Sequence, residues 1–61
     1  SKATVAGSNM PSGFTAPTGP ANTVIDPWYN PTTGQYWDAP TGGYSAPSGW
    51  IRGYAPTPYT S

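Results

Sequence analysis

The sequence predicts a mostly irregular, extended chain with a short aromatic β-hairpin at about residues 28–37, little or no helix and no independent globular core. Three observations carry that expectation. Glycine (8) and proline (9) are spread so that, from Pro11 onward, every ten-residue span holds at least one of them, which stops a helix within about a turn. Two aromatic pairs, Trp28-Tyr29 and Tyr36-Trp37, stand on either side of a turn-forming stretch. The aliphatic side chains are Val5, Val24, Ile25 and Ile51, with Met10 as the one thioether, too little apolar volume to offset the ordering of 61 residues. With no cysteine and no histidine, disulfides and the usual zinc sites are unavailable as substitutes for a core.

The hairpin has a mechanism. In Asn30-Pro31-Thr32-Thr33-Gly34, the Asn30 side chain is placed to accept from backbone further along, Pro31 is preset for the first central turn position, and Gly34 can take the positive φ that closes such a loop. Strands leaving this turn put Trp28 and Tyr29 on opposite faces, and Tyr36 and Trp37 likewise. Cross-strand aromatic pairs contribute about 0.2–1 kcal/mol each, so the hairpin needs something to lie against.

The chain reads as a single extended unit, 1–61, in three stretches. Residues 1–13 form an N-terminal arm, in which Ala3-Thr4-Val5-Ala6 suits addition to another sheet and Pro11-Ser12-Gly13 makes a turn before the Phe14 ring. Residues 14–42 hold the aromatic hairpin. Ahead of it, Asn22-Thr23-Val24-Ile25 is the best conventional strand, ended by Asp26-Pro27 and able to add a third strand with Pro27 at an end or on an edge. Residues 43–61 form a Gly/Pro/Tyr-rich C-terminal arm, in which Trp50-Ile51-Arg52 is a short apolar and basic step between Gly49 and Gly53.

A weak repeat runs through all of this. It reads Phe14-Thr15-Ala16-Pro17-Thr18-Gly19, then Trp37-Asp38-Ala39-Pro40-Thr41-Gly42, then Tyr44-Ser45-Ala46-Pro47-Ser48-Gly49, and in truncated form Tyr54-Ala55-Pro56-Thr57-Pro58. The spacing is irregular, which excludes a solenoid of stacked units. Each copy instead supplies a ring to dock, an extended proline step and a glycine that lets the chain change direction. Coincidence in a Pro/Gly/Thr-rich chain is the alternative.

Composition excludes more chemistry than it suggests. Histidine, cysteine and glutamate are absent, and Asp26 and Asp38 are the only side-chain carboxylates, so nearly every group used in acid–base or nucleophilic catalysis is missing and no enzyme is expected. The two aspartates flank the hairpin and would approach each other if it closes, which suits a weak Ca²⁺ contact or a purely structural role; no metal and no cofactor are expected. Lys2 and Arg52, the only basic residues, are too few to track phosphates, so no nucleic-acid partner is expected. No stretch has membrane-spanning length, no apolar leader opens the sequence, and no glycine run precedes a Lys-Ser/Thr pair.

Tyr29-Asn30-Pro31-Thr32-Thr33-Gly34 followed by Trp37-Asp38-Ala39-Pro40 resembles the second hairpin of WW domains, and Phe14 after Pro11-Ser12-Gly13 stands at about the distance of that family's first tryptophan. The resemblance covers residues 11–40 and implies a proline-rich-peptide module, with Trp37 facing the ligand, Tyr29 its partner and Pro40 packed back on Phe14. Departures are the Asn-to-Trp interval, one residue short, Phe14 in place of tryptophan, Pro27 within a strand and uncharged residues 15–23 where a charged first strand belongs. By size and composition alone, the whole chain is similar to the small accessory proteins of bacteriophage particles, which are short, nearly uncharged and rich in Gly, Pro, Thr and aromatics.

The function expected first is therefore structural: a non-enzymatic cement or decoration protein, a minor capsid component that binds along a larger assembly such as major capsid or tail subunits in many copies. It would be made in the host cytoplasm and carried in the virion, with no membrane partner. Its protein-binding anchors would be Phe14, Trp28, Tyr29, Tyr36, Trp37 and Trp50, then Tyr44, Tyr54 and Tyr59, with Arg52 making an ion pair or stacking on a ring. The alternatives are the WW-like peptide-binding module and a secreted adhesive or matrix protein.

Overall fold

Three short strands form one antiparallel sheet: β1 at Ile25–Tyr29, β2 at Tyr36–Pro40 and β3 at Ile51–Arg52, in the spatial order β2-β1-β3. The computed structural model describes residues 6–7, 9–20 and 22–56, and among these there is no helix. The expected hairpin is present and longer than its aromatic pairs. Its register runs from Tyr29 opposite Tyr36, through Trp28 opposite Trp37, to Ile25 opposite Pro40.

The turn closes as its residues dictate. Asn30 donates its N–H to the Gln35 carbonyl (2.8 Å), and Gly34, at φ 79°, donates to the Asn30 carbonyl (2.9 Å). The Asn30 Oδ1 accepts from the Thr32 and Thr33 N–H groups at 3.0 and 3.3 Å, satisfying two donors that the tight loop would otherwise leave unpaired.

Two expectations about strands are corrected. Asp26-Pro27 does not end a strand at residues 22–25; both residues lie inside β1, which starts at Ile25. The third strand is Ile51–Arg52, paired through Tyr29 opposite Ile51 and Trp28 opposite Arg52. Pro27 therefore sits in the central strand, a position normally closed to proline. The pairing shows why it is tolerated. Bonds from Asn30 to Gln35 and from Thr41 to Val24 fix the alternation along the hairpin, and that alternation makes Pro27–Asp38 a non-hydrogen-bonded pair, where no N–H is required. On its other side β3 has just ended, and Pro27 needs only its carbonyl, which accepts the Gly53 N–H at 2.7 Å.

The chain also has a core of its own, which corrects the expectation of none. Phe14 and Trp37 are each 6% exposed, Ala39 is fully buried, and Trp28, Tyr44, Ala46 and Trp50 pack around them. Phe14 stands edge-on to three tryptophans, with ring centroids 5.9 Å from Trp28, 5.1 Å from Trp37 and 4.9 Å from Trp50. Edge-to-face aromatic pairs contribute about 0.5–1.5 kcal/mol beyond the area they bury, a gain that counting aliphatic residues overlooks. The radius of gyration is 10.9 Å, against roughly 10.5 Å for a compact chain of this length and roughly 24 Å for an unfolded one.

Two copies of the repeat find each other. Thr15 and Ser45, the second residues of the first and third copies, form an antiparallel bridge and exchange both backbone hydrogen bonds, at 2.9 and 3.0 Å. Around this bridge a proline of each copy lies on a glycine of another stretch. Pro47 of the third copy lies against Gly13, just before the first, where an added Cβ would come within 3.0 Å of its ring. Pro17 of the first copy lies against Gly42, the last residue of the second. Both copies send their ring to Trp37, Phe14 at 5.1 Å and Tyr44 at 5.3 Å, each edge-on.

Candidate binding surface

The period of two along each strand divides the sheet into two faces with different work. Asp26, Trp28, Trp37, Ala39 and Arg52 share the face covered by Phe14; Pro27, Tyr29, Tyr36, Asp38 and Ile51 share the other. The inner face uses its aromatic residues internally, so Phe14, Trp28, Trp37, Tyr44 and Trp50 are brought together in the core cluster and Phe14 and Trp37 have almost no surface for a partner. On the outer face, Tyr36, Tyr29 and Ile51 stand side by side across β2, β1 and β3. The two tyrosines are half-buried and Ile51 is 47% exposed. Tyr54 follows β3 and is 40% exposed; Tyr59 lies outside the described residues.

Arg52 makes both contacts expected of it, and makes them within its own chain. Its Nη2 is 2.9 Å from the Asp26 Oδ2, and its guanidinium carbon lies 4.9 Å from the centre of the Trp28 ring. The register explains the geometry: Arg52 is directly opposite Trp28, and Asp26 is two residues along on the same face. Asp38, by contrast, points to the opposite face from Asp26 and is buried, so closing the hairpin separates the two carboxylates instead of pairing them. Among the described residues, no group of three or more His, Cys, Asp or Glu side chains is placed to hold a metal ion. No helix among them is long and apolar enough to cross a membrane.

The groove implied by the WW resemblance does not form. Trp37 is buried on the inner face while Tyr29 is on the outer one, and alternation puts Pro40 on the face away from Phe14. The edge of β1 away from β2 is occupied by Ile51–Arg52.

A concavity of about 210 Å³ opens beside Tyr29 instead. Its walls are the hairpin loop, through Asn30, Pro31 and Gln35, and the returning chain at Ala55 and Pro56. Sequence reasoning singled out Tyr29 but missed these neighbours. The visible signal was the truncated fourth repeat, whose Ala55-Pro56 supplies one wall; that it turns back onto the hairpin is set by long-range pairing through β3. Every wall residue is uncharged, and Pro31 and Pro56 offer no N–H.

Compared with known proteins, the chain matches no family, no curated protein and no solved structure.

Proposed function

We propose that this chain is a structural, non-enzymatic protein that attaches to a larger protein assembly and stabilises it, as a cement or decoration protein of a virus capsid or tail. The observation that carries the reading is the row Tyr36–Tyr29–Ile51 on the outer sheet face, which ends in an exposed isoleucine. In a 61-residue chain with so few aliphatic residues, an isoleucine left facing outward beside two half-buried tyrosines has more to gain from a partner than from water. Attachment is by a folded unit presenting one face, and not by a strap whose rings all dock. Many copies on a repetitive surface would then hold by numerous small contacts, in the virion and away from membranes and nucleic acid.

Density-gradient fractionation of material from the source organism tests this. The chain is expected to sediment with megadalton particles in a fixed ratio to their major subunit, and Ile51→Asp is expected to release it while leaving the core intact. Recovery of all of the chain at the top of the gradient as a free small protein would overturn the reading.

A further inference from the structure

We propose that the concavity beside Tyr29 receives a proline residue from an extended, uncharged segment of the partner protein, with Gln35 donating to the carbonyl next to that proline. The inference names a partner chemistry for the attachment proposed above and rests on that reading for its biological setting.

Size sets the first limit. At about 210 Å³ the space is below the roughly 300–1,000 Å³ of small-molecule sites, so it suits one side chain or one ring and not a cofactor. Charge sets the second: Asp26 and Arg52 are paired with each other on the other face of the sheet, and the walls carry no ionisable group except the Tyr29 phenol. A charged occupant would lose hydration there with nothing to replace it.

Hydrogen-bond inventory sets the third. On the hairpin wall the Asn30 and Gln35 acceptors are used. Asn30 Oδ1 takes the Thr32 and Thr33 N–H groups, the Asn30 carbonyl takes Gly34, and the Gln35 carbonyl takes Asn30. The Gln35 Oε1 accepts from the Thr33 hydroxyl at 3.0 Å, which orients the amide and leaves its NH₂ to donate. A Gln35 amide left to donate, beside Asn30 and Gln35 acceptors already engaged, fits a ligand residue that accepts and does not donate. Proline has that character: a flat apolar body to lie on the Tyr29 ring, no N–H, and a tertiary-amide carbonyl preceding it. A sugar ring would fill similar space but brings a hydroxyl donor for nearly every acceptor, and those donors meet Asn30 and Gln35 acceptors that are already taken.

The full-length chain, labelled with nitrogen-15, is titrated with acetyl-(Ala-Pro)₄-amide, with the equally long acetyl-(Ala-Ser)₄-amide and with maltoheptaose. Saturable shifts at the Tyr29, Gly34 and Gln35 amides are expected with the proline peptide, and at least about tenfold weaker binding with the serine peptide. Gln35→Glu replaces the donor by an acceptor at an exposed site and is expected to weaken the proline peptide by about tenfold or more without unfolding the chain. Equal binding of both peptides, shifts elsewhere, saturation by maltoheptaose at these amides, an unaffected Gln35→Glu variant or no saturable binding would each overturn the assignment. Particle attachment is read separately: if it persists while the peptides fail, only the pocket assignment falls. If the peptides bind and the chain is absent from particles, the attachment reading falls and the pocket stands.

Discussion

Thr15 and Ser45 lie thirty positions apart in sequence and exchange both of their backbone hydrogen bonds, each occupying the same place in its copy of the repeat. The bridge ties the segment carrying Phe14 to the segment carrying Tyr44, so the two rings arrive at Trp37 together. A sheet of three short strands, marginal alone, gains its second layer from this pairing.

The contact of Pro47 on Gly13 can be tested against a matched position that lacks one. Gly13 and Gly43 each precede a repeat ring and have φ of 91° and 97°, but an added Cβ at Gly13 meets Pro47 at 3.0 Å, while at Gly43 it meets nothing within 4 Å. Alanine at either site is expected to cost about 1–2 kcal/mol in backbone strain. Gly13→Ala should cost a further 1–3 kcal/mol or so from overpacking. Urea unfolding of the two variants gives the difference directly.

Phe14 should dominate stability. Phe14→Ala is expected to cost about 3–5 kcal/mol, comparable to the whole folding free energy of a chain this small, and so to leave it unfolded at room temperature. Tyr54→Ala, at a more exposed ring, should stay within about 0.5–1 kcal/mol of the parent. Near-ultraviolet circular dichroism separates the two outcomes. An extended chain with independent rings would show no such contrast.

Removing the Asn30 side chain should loosen the loop. Asn30→Ala deprives the Thr32 and Thr33 N–H groups of their acceptor and is expected to cost about 1–2 kcal/mol, with faster amide exchange at both residues. Asn30→Asp keeps the acceptor and should keep most of that protection.

Arg52 holds β3 by two kinds of contact that respond differently to salt. Its side chain is 58% exposed, so the ion pair with Asp26 contributes at most about 1 kcal/mol and should fade toward 1 M salt. Arg52→Lys can retain the charge but loses the guanidinium's contact over the Trp28 ring. At high salt the parent should remain more stable than Arg52→Ala, and the Trp28 contact and the packed stem of Arg52 account for what survives. Thermal melts at low and high salt measure both parts.

What the sequence by itself determined is local. Asn30, Pro31 and Gly34 specify a loop whose bonds close within five residues, and period-two alternation then places Trp28 with Trp37 and Tyr29 with Tyr36. The frequent prolines and glycines rule out helix for equally local reasons. The tertiary structure decided everything that depends on segments meeting across the chain: that Ile51–Arg52 becomes the third strand, that Pro27 is tolerated in a central strand, and that Phe14 collects three tryptophans. It also decided that Trp37 serves the core while Tyr29 borders a cavity, although the two look equivalent in sequence. The physical reason is that side-chain alternation fixes which residues share a face but not which face is covered. That choice falls to the repeat copies, whose pairing costs loop closure over thirty residues and is recovered only when both rings reach the same tryptophan.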